Sequence, residues 1–405
     1  MRSCAAIMLG LALLTAPALA QTAASETAPV RIGVLTDMSG MNATGSGSGS
    51  VLAAKLAVAD FGPSLLGRQI EILSADHQNK PDVGAAIARR WYDTDGVDVI
   101  VDVPNSAVAY AVAELARRKD RLVIFSTAGA SDLTGVHCTA NSFQWSYSTY
   151  AVARASVASL MQQAGKAWFF LAADYAGSIA MARDAEQLLR AAGGAAVGSV
   201  RAPIGTTDFG PYLLQAQAAG ASVLMVMNSG SDQANTLKQA HEFGLDRAGI
   251  RLASTFNEAY VLESLGPEAS AGYLFATSWY WDLNDATRAF SARFFAAAGM
   301  QPSMMQAGVY SAVLSWLKAA RDARATAAGT VAAALRAGPV DDMFTEGGQV
   351  RTDGSMAHDM FLMRGKGPTE KRRPWDVAEV VSRVPATTIY PPMSESACPL
   401  VRGAK

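Results

Sequence analysis

The chain has 405 residues, half of them hydrophobic and 17% charged, with a formal net charge of −1. That length suits two lobes better than one core, and the apolar share excludes a disordered chain. With charges balanced and no dense Lys/Arg run, there is no basic face for nucleic acid or an acidic membrane surface; Lys371-Arg372-Arg373, between Pro368 and Pro374, reads as a solvated loop.

The first element is an export signal. Arg2 precedes an apolar run at 5–14 and the small-residue pattern Ala18-Leu19-Ala20, which predicts cleavage after Ala20. The run is too short for a stable membrane anchor. Cys4 lies ahead of it and so cannot be a lipidated cysteine. The mature chain is expected in an oxidising compartment, where Cys138 and Cys398 would pair; free thiols or a crosslink to a partner are the alternatives.

From residue 31 onward strands and helices alternate. Strands are predicted at 31–36, 69–74, 97–103 and 122–126, the third nearly all Val and Ile apart from its aspartates, as a strand covered on both faces would be. Between them run a helix with Leu52, Leu56 and Ala59 on one side, one with Val83, Ile87 and Trp91, and one at 107–118. The pattern restarts after Tyr150. A helix to 163 precedes strands at 167–172, 195–201, 222–227 and 251–254, separated by helices at 178–191, 209–218 and 233–243. Repeated βα units imply parallel sheets with helices on both faces.

Several short motifs punctuate this alternation: Arg31-Ile-Gly-Val-Leu-Thr-Asp-Met-Ser-Gly40, Gly67-Arg-Gln-Ile-Glu-Ile72, Asp76-His-Gln-Asn-Lys-Pro81, Val103-Pro-Asn-Ser106 and Ser126-Thr-Ala-Gly-Ala-Ser-Asp-Leu-Thr134. Asp174-Tyr175, Thr207-Asp-Phe209 and Gln306-Ala-Gly-Val-Tyr310 follow in the second half. Each is weak alone. In this order and spacing, over nearly the whole mature chain, the set resembles the leucine/isoleucine/valine-binding (type I) family of periplasmic substrate-binding proteins, which serve ABC importers.

The resemblance implies a two-lobed α/β fold, each lobe a parallel sheet with helices on both faces, with three crossovers. Lobe one would be residues 29–147 plus 278–350, lobe two 148–277 plus 351–385, and the tail 386–405 would return to lobe one. It implies a periplasmic, monomeric solute-binding component that closes on a small carboxylate-bearing molecule and docks on an inner-membrane ABC permease. No enzyme activity, cofactor, metal or nucleic acid is expected. A ligand-sensing receptor subunit for a membrane kinase or chemoreceptor is the alternative.

Ligands of open parallel sheets bind beyond the carboxyl ends of strands. In lobe one this picks out Asn105 and Ser106, where a helix start offers unpaired N–H donors to a carboxylate. It also picks out Thr127, Ala128 and Ser131 in a loop of small residues, and Ser39 in the turn after the first strand. In the second half, the resemblance implies that Tyr175 lays its ring over the ligand and that Glu258 meets an ammonium group. Asn228-Ser229 ends the strand that begins at Ser222, Phe256 follows the strand at Arg251, and Trp145 and Tyr150 flank the first crossing. Trp279-Tyr280-Trp281 reads as packing at a lobe boundary.

Enzyme readings find little support. Gly45-Ser-Gly-Ser-Gly49 has neither the dinucleotide fingerprint nor a P-loop ending. His77, His137, His241 and His358 lie in unlike segments, with no nucleophile elbow and no metal-ligand spacing.

Overall fold

The computed structural model describes residues 28–403 apart from residue 164, so the expected export signal lies outside the described residues. Elements run in chain order β1 (Val30–Thr36), α1 (Gly47–Phe61), β2 (Ser64–Leu65), β3 (Arg68–Asp76), α2 (Pro81–Asp93), β4 (Val97–Asp102), α3 (Ser106–Lys119), β5 (Leu122–Phe125) and β6 (Ser142–Gln144). These strands form one six-stranded sheet in the order β2-β3-β1-β4-β5-β6. All its pairs are parallel except the short β2–β3 pair. β4 is buried at every position, aspartates included, as its near-continuous apolar run anticipated.

A second body follows: α4 (Thr149–Gln163), β7 (Ala167–Ala173), α5 (Ala176–Ala191), β8 (Ala195–Ala202), α6 (Gly210–Ala218), β9 (Val223–Val226), α7 (Gly230–Glu242), β10 (Arg251–Ala253), α8 (Ala259–Leu265), α9 (Pro267–Ser270) and β11 (Leu274–Thr277). The chain then returns to the first body through α10 (Asp285–Ala298), α11 (Met304–Ala323) and α12 (Ala328–Ala337), and forms a small sheet from β12 (Pro339–Val340), β13 (Gly348–Val350) and β14 (Met356–Ala357). It ends with β15 (Met360–Gly365), β16 (Ala378–Val384), α13 (Ala386–Ile389) and α14 (Pro399–Arg402).

The second sheet has the order β16-β15-β11-β10-β9-β7-β8. Its core is parallel, but β15 runs antiparallel to β11 and β16 antiparallel to β15. The expectation of a wholly parallel sheet is therefore corrected at this edge. Residues 366–377 carry no helix, so the chain turns back on itself instead of making a parallel crossover.

The buried side of α1 also differs from expectation. Leu52 and Leu56 are only partly buried and Ala59 is exposed, while Ser50, Ala53, Ala54 and Ala57 are fully covered. The long helix α11 lies along this small-residue face, and close helix approach favours small residues over leucines there. α11 is anchored by a reciprocal cap between Ser303 and Gln306. Gln306 Nε2 also donates to the Thr44 and Ser46 carbonyls (3.0 and 3.1 Å).

The chain passes between the two sheets three times: between β6 and α4, between β11 and α10, and between β14 and β15. The first and third passages run side by side, joined where Gln144 N donates to Gly354 O (2.9 Å). The buried His358 ring reaches Ser146 O (3.0 Å) and Asp359 O (2.8 Å) at the same place. The second passage holds Trp279, Tyr280 and Trp281, all buried; Tyr280 OH and Trp281 Nε1 both donate to Trp375 O. Lys371, read as solvated, instead pairs with Glu263 at 2.7 Å and is largely covered. Cys138 and Cys398 form a disulfide with Cα atoms 5.5 Å apart, as the sequence predicted.

Candidate functional site

The strand order explains where a site arises. Loops after β4 and β5 in one sheet, and after β7, β9 and β10 in the other, all point toward the gap between the lobes. A narrow cleft there leaves a cavity of about 20 Å³ between the lobes. Lobe one contributes Asn42, Pro104, Ser106, Thr127, Gly129 and Met305, and the first passage adds Tyr147 and Thr149. Tyr175, Gly177, Met181, Ser229 and Phe256 face them from the second lobe.

Five of these residues stand at helix N-termini. Ser106 is the first residue of α3, Thr149 the first of α4 and Met305 the second of α11; Tyr175 and Ser229 directly precede α5 and α7. Helix starts leave N–H groups without intrahelical partners and carry the positive end of the dipole. Their convergence makes the cleft receptive to negative charge without any cationic side chain in its wall. Apolar cover comes from Tyr147 and Phe256, whose ring centroids are 5.4 Å apart, and from Met181 and Met305. The Tyr175 hydroxyl is tied to the Ser229 hydroxyl at 3.2 Å.

Of the residues singled out from sequence, Ser106, Thr127, Tyr175 and Phe256 line the cleft. The others, Ser229 apart, do not. Asn105 caps α3, accepting the Ala107 and Val108 N–H groups. Ala128 is packed into the first lobe's core, and its carbonyl accepts from Gln144 Nε2 (3.0 Å). Ser39 is exposed and donates to Asp76 (2.7 Å). Asn228 turns inward and donates to Thr236 Oγ1 (2.8 Å). Trp145 is a core side chain bonded to Ser311, and Tyr150 is half-buried in the first turn of α4.

Ser131 has another task. Its hydroxyl donates to the buried Asp184 of α5 (2.7 Å), which also accepts from Thr149 Oγ1 (2.6 Å), while Arg183 pairs with Asp132 (2.7 Å). This polar cluster clasps the two lobes beside the cleft. Ser229, named together with Asn228, also lines the cleft. Asn42, Tyr147, Thr149 and Met305 escaped sequence reading, Tyr147 by two positions from Trp145.

Glu258 lies behind the cleft wall. Its Oε2 accepts the Met304 N–H at the start of α11 (3.1 Å), and its Oε1 has no partner among the described residues. Burial pushes its carboxyl up to about 8, against the downward pull of that one bond. The folded state therefore holds the proton more tightly than the unfolded chain does. Its contribution to stability is full below the ordinary value near 4.5 and is lost as pH rises through about 8. Glu258→Gln should match the wild type in thermal melts at pH 5 and melt higher at pH 9. Parallel melting profiles across that range would show that the carboxyl stays ionised in the fold.

Two α/β bodies joined by three passages, with helix starts from both around one cleft, define a hinged solute-binding protein. The chain belongs to the periplasmic binding protein family, whose model matches residues 29–371. It is similar to a periplasmic binding protein from Burkholderia mallei, 40% identical, with a TM-score of 0.89 over 92% of this chain and 99% of that one. A branched chain amino acid ABC transporter periplasmic ligand-binding protein from Burkholderia xenovorans LB400 is 38% identical, covering 92% of this chain and all of that one, with a TM-score of 0.83. A solute binding protein from R. palustris, in complex with benzoate, shares the fold at 20% identity, covering 88% of this chain and 97% of that one, with a TM-score of 0.79. No curated protein sequence matches. The protein is thus a periplasmic, ABC-transporter solute-binding protein of the leucine/isoleucine/valine-binding type. Such proteins bind small molecules and work with inner-membrane permeases.

Proposed function

We propose that this protein captures a small carboxylate-bearing molecule, an amino acid or an aromatic or other organic acid, between its lobes. The observation that carries the reading is the gathering of the α3, α4, α5, α7 and α11 starts around a cleft lined by Ser106, Thr149, Tyr175, Ser229 and Met305. Five positive dipole ends with hydroxyls between them favour an anion, and Tyr147, Phe256 and the two methionines suit a flat or branched apolar body. In this reading residues 29–147 plus 278–357 and 148–277 plus 358–385 move as bodies about the three passages, closing on the ligand as a hinge; the boundary expected after residue 350 moves to 357 because β14 pairs with β13. The protein acts as a monomer and delivers the ligand unaltered to the permease.

Thermal melts and titration calorimetry with amino acids, benzoates and aliphatic acids, each beside its neutral amide, test this. At free acid 100 times its dissociation constant, stability should rise by about 2.7 kcal/mol. Each amide should bind at least about tenfold more weakly, because it lacks the charge that the helix starts attract. Equal binding of acid and amide, or chemical conversion of the recovered ligand, would refute it.

A further inference from the structure

Beneath the cleft floor lies an acid that the binding surface does not use directly. Asp102 ends β4 with no exposure, and Oδ1 of its carboxylate accepts the hydroxyl proton of Thr127, which lines the cleft. Asp102 and the β-branched Val103 hold φ of 81° and 58°, a left-handed region that such residues rarely enter. Two successive strained residues persist only where surrounding structure imposes them, and such strain gathers at functional sites. Here they lie at the strand end that carries the carboxylate under Thr127. The Thr36 and Ser50 hydroxyls stand beside Asp102, near enough to favour its charged form, although among the described residues neither they nor Asp102 Oδ2 make a well-formed hydrogen bond.

We infer that Asp102 is a positioning residue that fixes the polarity of Thr127, so that the site takes acids carrying a second group that donates a hydrogen bond. The inference rests on the carboxylate reading above and narrows it. An ionised carboxylate is acceptor-only, and a threonine hydroxyl has one proton. While that proton points into Asp102, Thr127 Oγ1 offers the cleft lone pairs alone. An ammonium or hydroxyl group of the ligand meets it favourably; a carboxylate oxygen does not. Protonating Asp102 reverses this, because the acid then donates and frees the threonine proton for the cleft.

Burial pushes Asp102 up to about 6, opposed by its hydroxyl neighbours and reinforced by Asp37 at the end of β1. The elements around it supply Thr36 from β1 and Asp37 just beyond it, Ser50 from α1 and Thr127 beyond β5. Buried His77, after β3, faces Asp37 and Asp76, and burial holds it below the usual histidine range. The switch is therefore expected near pH 6, with Asp102 ionised at neutral pH.

The test uses pairs of acids that differ in one donor: leucine against 4-methylpentanoate, and 4-hydroxybenzoate against benzoate. In the wild type at pH 7.5 the donor-bearing member of the binding pair should be favoured at least about tenfold, the scale of one unmade hydrogen bond in a buried site. Asp102→Asn cannot ionise and can turn either its NH2 or its oxygen to Thr127, so its ratio should fall below the wild type's at pH 7.5 and stay constant with pH. The wild-type ratio should shrink as pH falls from 7.5 to 5. A D102N ratio that equals the wild type's and follows the same course with pH, with both acids still bound, overturns the role of Asp102 and leaves the carboxylate reading intact. Should D102N fail to fold, a wild-type ratio that stays flat across pH 5–7.5 overturns it. If no acid of either pair binds, the carboxylate reading falls and this inference with it.

Discussion

Cys398→Ser combined with Cys138→Ser is expected to lower the melting temperature by roughly 5–10 °C in non-reducing buffer. The bridge spans a sequence separation of 260 residues, for which chain-entropy arguments give about 5 kcal/mol. In a chain this long each kcal/mol moves the midpoint by about 2 °C or less. The tail from α13 to the bridge makes its own contacts with the passages and the second lobe. Arg154 donates to Thr388 O (2.8 Å), Arg351 to Pro391 O (2.7 Å), and Tyr390 OH to Met356 O (3.2 Å). Cys398 then fastens this tail to Cys138, between β5 and β6 of the first lobe. The disulfide makes the tail a fourth connection across the hinge, one that the backbone alone does not supply. Dithiothreitol should lower the wild-type melt to the level of the double variant and leave that variant unchanged. A wild-type melt insensitive to reductant would mean that the tail is held by its noncovalent contacts alone.

Much of the fold was readable because its signals are local. The apolar run at 97–102 and the repeated βα alternation follow from side-chain period and burial, which short windows of sequence record. The antiparallel β15 and β16 lack that clarity. β16 is exposed at most positions, so its sequence carries little apolar pattern. The inner face of α1 was misjudged for a different reason. Hydrophobicity favours Leu52 and Leu56, but the distance of approach to α11 decides which side is buried, and α11 lies some 250 residues away.

The site was legible at its junctions and not in its detail. Strand ends picked out Ser106, Thr127, Tyr175 and Phe256, all of which line the cleft, since parallel sheets deliver loops to one edge. Which residue of a junction faces the ligand depends on backbone rotation at the helix start. That rotation sends Ser229 into the cleft and its neighbour Asn228 into the core, and it assigns Asn105 to capping. Ser131 was chosen for its hydroxyl, which the structure spends on Asp184 across the lobe boundary. Met305 and Tyr147 reach the cleft through tertiary packing that no local pattern encodes.

Gly230→Ala is expected to weaken ligand binding by about 100-fold while leaving the protein folded. Gly230 opens α7 with φ of 58°, directly after Ser229 in the cleft wall. A Cβ there would come within 2.3 Å of Met41 O, a backbone oxygen of the other lobe, which no side-chain rotation can relieve. The left-handed backbone costs an alanine about 1–2 kcal/mol whether the lobes are open or closed, so that part does not touch affinity. The overlap arises only on closure. Forcing a methyl into packed surroundings costs about 1–3 kcal/mol, and about 2.7 kcal/mol is a factor of 100 in affinity. Calorimetry with the tightest-binding acid would record the loss, and small-angle scattering would show the variant more extended than the wild type at equal acid concentration. An alanine variant that binds as tightly and scatters as compactly as the wild type would mean that ligand capture does not require the lobes to meet at Met41 and Gly230.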